Sequence, residues 1–152
     1  MPKATYAYKG RSIGGFSLVE ALIVIVILGV LVLVVAPRIG PIIAARNVSG
    51  ARAGFSNLYS RARIAAVQAR RSATISVTGN VASATVDMPL GPQMVGQLIR
   101  FDSLYGVQAT ASPTSITIQP TGLVTGGLPF ELVLIRGSVV DTVLITDFGK
   151  IK

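Results

Sequence analysis

Few residues in this chain can do chemistry. Glu20 is the one charge among the 21 residues from Phe16 to Ala36, and Ser17 is the one further polar side chain there. At about 1.5 Å per residue such a run makes a helix roughly 30 Å long, enough to cross the hydrocarbon core of a bilayer. A carboxylate in hydrocarbon costs several kcal/mol unless it meets a cation, so Glu20 reads as a site and not as decoration. The only other motif with a chemical reading is the C-terminal Gly149-Lys150-Ile151-Lys152. Strand alternation sets Lys150 and Lys152 on one side with Ile151 turned inward, and two cations at that pitch can touch phosphates without reading sequence. Terminal lysines that keep an edge strand soluble explain the same residues.

The remaining composition excludes more than it proposes. There is no Cys and no His. Disulfides, thiolate metal sites and Cys nucleophiles are therefore out, and the commonest general base is missing. Gly14-Gly15 and Gly126-Gly127 lack the Lys-Ser/Thr of a phosphate loop. The acids are scattered and the four tyrosines are not interleaved with basic residues. No catalytic set, metal site or cofactor is expected, and the chain is read as a non-enzyme.

Three basic residues, Lys3, Lys9 and Arg11, and no acid precede the apolar run. An ordinary secretory signal is cut after its apolar segment at small residues. Val34-Val35-Ala36-Pro37 offers a poor site of that kind. Cleavage before the segment, between Gly15 and Phe16, would leave the helix on the mature protein and put a new amine one turn from Glu20. A plain single-span anchor with Glu20 reaching to the interface is the alternative.

Gly15-Phe16-Ser17-Leu18-Val19-Glu20, followed by the apolar run to Gly29, resembles the class III leader and N-terminal helix of type IV pilins and pseudopilins. The resemblance implies a prepilin peptidase that cuts after Gly15 and methylates the Phe16 amine. It also implies that Glu20 meets the Phe16 amine of an adjacent subunit and sets the register of helix insertion into a filament. Pro37 stands where pilins carry a helix-loosening proline, and here Gly40 and Pro41 are added. Each proline removes a helix hydrogen bond, so a kink, loosening or stop is expected over 37–45.

Beyond Pro37, eleven Lys or Arg stand against five Asp or Glu, a net +6 within a total of +8. That balance favours polyanionic partners without naming one. Val48, Ala51, Phe55, Leu58, Ala62, Ala65 and Ala69 follow 3,4 spacing and mark one stripe of a helix over 46–71. The arginines of this segment fall outside the stripe, either as a solvated face or as a basic ridge for subunits, lipid head groups or nucleic acid. Ile64 and Val67, also off the stripe, suggest last turns wrapped on two sides.

From 72 onward the pattern turns to short, β-branched runs. Thr74–Thr78 and Val81–Val86 make a hairpin across Gly79-Asn80. Residues 87–96 read as a loop, 98–101 and 106–110 as weak strands, and 115–119 as a clearer one. Phe130–Ile135 and Val139–Thr146 form a hairpin across Gly137-Ser138, expected at the centre of the sheet.

The expected fold class is α+β: a long N-terminal helix, part hydrophobic and part amphipathic, packed on an antiparallel sheet or sandwich. Its divisions are a leader (1–15), a membrane or filament-core helix (16–36), a helix break (37–45) and a periplasmic head (46–152). The order of elements resembles the minor-pseudopilin domain of the GspH and FimT group. Ile116–Gly122 and Leu144–Lys152 carry that resemblance as a strand-then-Gly segment and a strand-Gly-basic-x-basic tail.

The resemblance implies a subunit of a type II secretion pseudopilus or a type IV pilus, held in the inner membrane with its head in the periplasm. Its partners would be the prepilin peptidase and other pilin subunits. Some FimT-like pilins bind DNA through a Gly-Arg-x-Arg tail, which this chain matches in spacing with Lys in place of Arg. A DNA-binding minor pilin and a plain membrane-anchored β domain are the alternatives.

Overall fold

The computed structural model describes residues 16–126, 129–146 and 148–152, with residues 35–38 as backbone alone. The expected leader, with Gly15, lies outside the described residues. The chain divides into two compact units between Arg38 and Ile39, seven residues earlier than the expected start of the head at residue 46.

In the first unit, α1 (Leu18–Ala69) begins on Ser17. The Ser17 hydroxyl accepts the Val19 N–H at 3.3 Å and its carbonyl accepts the Ala21 N–H at 3.1 Å. Ser17 is thus the N-cap, satisfying a donor that the first turn cannot pair internally. The large apolar side chains from Phe16 to Val34 are exposed. No single helix among the described residues is long and apolar enough to cross a membrane, whereas Leu18–Val34 and Ile39–Ala69 pass together on length and composition.

Of the kink, loosening or stop expected at Pro37, Gly40 and Pro41, a stop does not occur, since the backbone over 37–45 is helical. Proline forfeits one hydrogen bond and crowds the preceding turn, and it does not forbid helical dihedrals on either side.

In the second unit, the face of α1 bearing Val48, Ala51, Phe55, Leu58, Tyr59, Ala62 and Ala66 is buried. Ala65 and Ala69, expected on the stripe, are only partly buried. Ile64 and Val67 are exposed, which overturns the expectation of a helix end covered on two sides. The helix stops at Arg70, a non-glycine residue with φ 50°. The Arg71 N–H reaches back to the Ala66 carbonyl at 3.1 Å, closing the last turn as a Schellman-type cap does.

The strands form two antiparallel sheets. One holds β1 (Ala73–Thr78), β2 (Val81–Met88), β3 (Gly91–Met94), β4 (Ile99–Arg100), β6 (Ser115–Ile118) and β7 (Val124–Thr125), in the order β3-β2-β1-β6-β7 with β4 also on β2. The other is β5 (Gln108–Ser112), β8 (Phe130–Arg136) and β9 (Val139–Ile145), in the order β5-β8-β9. Both predicted hairpins are present, joining Thr78 to Val81 and Arg136 to Val139. Gly79 and Gly137 take φ of 57° and 59°, as Gly-first two-residue turns require.

Three expectations change. The predicted loop at 87–96 is mostly the β2–β3 hairpin, with Met88 opposite Gly91. Residues after Arg100 turn into a short helix, α2 (Phe101–Tyr105), where part of a strand was expected. The β8–β9 hairpin is not central to one large sheet but lies in the smaller sheet, with β9 outermost.

One hydrophobic core joins the helix face to both sheets. Phe55 stacks on Phe130 of β8 with ring centroids 5.9 Å apart, an aromatic pair that fixes where helix meets sheet. Arg52 donates to both carboxylate oxygens of Asp141 on β9, at 2.8 and 3.0 Å.

Candidate functional site

Two regions carry the functional residues predicted from the sequence, and each lies within its own unit. The first is the start of α1. Phe16 precedes the Ser17 cap with 81% of its surface exposed, and Glu20 is exposed three residues into the helix. Ser17-Leu18-Val19-Glu20 has the spacing of a capping box, Ser at the N-cap and Glu three residues on, and the Ser17 hydroxyl caps the turn through the Val19 N–H. The sequence reading missed this role for Ser17. A carboxylate in the first turn also sits where the helix dipole is positive. The start of the helix is thus capped with Glu20 exposed, and among the described residues Glu20 makes no ion pair. Gly40 and Pro41 are exposed on α1 and touch no candidate site.

The second region is the C-terminal tail. Lys150 and Lys152 are exposed and Ile151 is partly buried. The tail lies antiparallel along β9: the Leu144 N–H donates to the Lys152 carbonyl at 3.1 Å, the Lys152 N–H returns to Leu144 at 2.9 Å, and Thr146 donates to Lys150 at 3.1 Å. Because Leu144 faces the tail, alternation turns Thr142 and Val140 outward as well. The Thr142 N–H is taken by its neighbour Asp141 at 2.8 Å.

Gly149 explains itself structurally. Its φ is 69°, and a Cβ there would fall 2.6 Å from the Tyr59 hydroxyl and 3.3 Å from the Gly122 carbonyl oxygen. Tyr59 donates to the Gly149 carbonyl at 3.1 Å. Gly122, with φ 79°, lies against the Arg63 guanidinium, where a Cβ would come within 3.1 Å of Nε. The two glycine segments singled out in the sequence thus meet over one patch of α1, at Tyr59 and Arg63. Burial pushes the Tyr59 hydroxyl above its ordinary pKa of 10.0, with the Arg63 cation opposing. Neither Tyr59 nor Arg63 was foreseen, and only the 3,4 spacing beside Phe55 and Ala62 hinted at Tyr59.

Among the described residues no three His, Cys, Asp or Glu side chains gather as a metal site would need, and the one ion pair is Arg52–Asp141. Glu20 belongs to the first unit and Lys150 and Lys152 to the second.

Residues 10–36 match the family described as the prokaryotic N-terminal methylation motif. The resemblance carried by Gly15, Phe16 and Glu20 therefore rests on a family match over the same residues, and this chain bears a prepilin-type methylation motif. Comparison with curated proteins returns no match. Among solved structures, the chain is similar to the type IV minor pilin FimU of Pseudomonas aeruginosa strain PAO1, at 14% identity and a TM-score of 0.45, over 78% of this chain and 90% of that one. At those values the likeness carries no inference about function.

Proposed function

We propose that this chain is a minor pilin or pseudopilin, a structural subunit and not an enzyme. It is cut between Gly15 and Phe16 by a prepilin peptidase, methylated on the Phe16 amine, and built from the inner membrane into a type IV pilus or a type II secretion pseudopilus. The observation that carries this reading is the methylation motif over residues 10–36. The outward-facing Glu20, one turn into a capped helix, supports it. Cleavage turns the Phe16 nitrogen into a cation, and in a low-dielectric medium a carboxylate and an ammonium gain far more from meeting than they do in water. Glu20 is the acceptor for that amine on a neighbouring subunit, and the pairing fixes how far each helix is inserted.

Two measurements test it. The mass of the protein from cells with and without the peptidase should differ by residues 1–15, and retention of those residues in peptidase-bearing cells would sink the reading. Glu20→Ala should leave membrane insertion intact and sharply reduce recovery of the subunit in sheared filaments; normal incorporation would remove the carboxylate from assembly.

A second reading, contact with DNA phosphates by the tail, draws support from the joint exposure of Lys150 and Lys152. Lys is a point charge without the fork of Arg, so any contact would be non-specific and steeply salt-dependent. Gel shifts of duplex DNA at two salt concentrations with Lys150→Ala and Lys152→Ala decide it. Unchanged binding would leave only the general basicity of the chain.

A further inference from the structure

Outside both predicted sites, the second unit carries an open groove of about 510 Å³. One wall is α1 at Gly54, Asn57, Leu58 and Arg61; the other is the segment Gln97–Ile99 with Leu104 and Tyr105 of α2. The groove exists because α1 lacks side chains where Tyr105 crosses it. A Cβ on Gly50 would lie 3.2 Å from the Tyr105 ring, and one on Gly54 would lie 2.9 Å from its hydroxyl. Two glycines inside a helix cost about 1 kcal/mol each relative to alanine, and here they let the ring lie flat on the backbone as a floor. The rim is apolar and unburied: Leu98 is 42% and Leu104 63% exposed.

The polar equipment is one-sided. Arg61 offers a guanidinium, and Asn57 and Gln97 offer amides, while no lining residue is an acid. Among the described residues Arg61 makes no ion pair. The aliphatic stem of Arg61 lies beside Gly96, 3.8 Å from where a Cβ would stand, and the residue is exposed. A trough lined by polar and apolar groups together, with an unpaired guanidinium at one end among the described residues, suits a carboxylate held next to an aliphatic side chain.

We propose that this groove docks an acidic, leucine-type segment of a partner protein, with Arg61 taking the carboxylate and Leu98 and Leu104 covering the aliphatic group. Charge argues for a partner other than a second copy. Beyond Pro37 this chain is net +6, and Asp141 is already held by Arg52. Two copies would bring like charges together, which costs affinity and slows encounter.

The test uses the full chain in a zwitterionic detergent and a fluorescein-labelled peptide of alternating Glu and Leu, followed by anisotropy, with a Lys-Leu peptide as the charge-reversed twin. The Glu-Leu peptide should bind and the Lys-Leu peptide should not. Arg61→Glu should weaken binding by about tenfold or more, the scale of a lost charge-assisted hydrogen bond. Leu104→Ala should weaken it about fivefold, in keeping with an aliphatic contact that is only partly buried. Arg71→Glu makes the same change in net charge at an exposed site off the groove and should cost less than about twofold. Equal losses from Arg61→Glu and Arg71→Glu would reduce the effect to generic basicity and overturn the proposal. So would binding unaffected by Arg61→Glu, or self-association of the chain that Arg61→Glu abolishes, which would seat a second copy in the groove.

Discussion

Replacing Gly149 by alanine tests the assignment of this residue to the fold, and the structure sets the size of the effect. At φ 69° a residue with a Cβ pays about 1–2 kcal/mol for the left-handed conformation alone. The added methyl also falls 2.6 Å from the Tyr59 hydroxyl, so the Tyr59 to Gly149 hydrogen bond must lengthen or break, at a further cost of about 1 kcal/mol. Together Gly149→Ala should destabilise the head by roughly 2–3 kcal/mol, or about 10 °C in the midpoint of thermal unfolding for a domain near this size.

The informative comparison is the double mutant. Tyr59→Phe loses the same hydrogen bond, but it removes the atom nearest the new methyl. Gly149→Ala should therefore cost about 1 kcal/mol less in the Tyr59→Phe background than in the parent, a coupling that a double-mutant cycle resolves. Circular dichroism melts of the four proteins in detergent give all the terms. Strict additivity would show that the tail does not close on Tyr59 and would refute the account of Gly149.

The same hydroxyl makes a prediction in pH. Its folded pKa lies above 10.0, so the neutral form is favoured in the fold; the resulting stability is fully present below the unfolded pKa and is lost as pH rises through the folded one. Denaturant titrations at about pH 8 and about pH 10.5 should show a fall that Tyr59→Phe makes smaller, and identical falls would contradict it. Phe55→Ala should cost about 3–5 kcal/mol, because the ring is wholly buried against Phe130. A shift in urea midpoint worth less than about 1 kcal/mol would mean that helix and small sheet are not joined there.

What the sequence shows in advance is what short spacing dictates. The 3,4 stripe from Val48 to Ala62 and the two Gly-first hairpins depend on neighbours a few residues apart, and they fold as the pattern says. The methylation motif over residues 10–36 is legible because it is contiguous. The division into two sheets is not, since β5 and β6 are close in sequence yet pair in different sheets, Ala109 with Leu134 and Ile75 with Ile116. α2 escapes notice because five residues carry too little periodicity to show a helix. The glycines at 50, 54, 122 and 149 look alike as letters. Only the side chain that each one meets, from Tyr105 to Tyr59 ninety residues away, tells a ring floor from a tail clamp.

The sealing of β9 bears on how heads can sit together. Of its outward positions, Leu144 is paired with Lys152 through both N–H and carbonyl and the Thr142 N–H is taken by Asp141, which leaves Val140 and the Thr142 carbonyl as the open stretch. So short an open stretch is a poor template for another strand. Strand addition along this edge is therefore blunted. A neighbour meeting this side would meet mainly side chains, not a row of unpaired backbone groups.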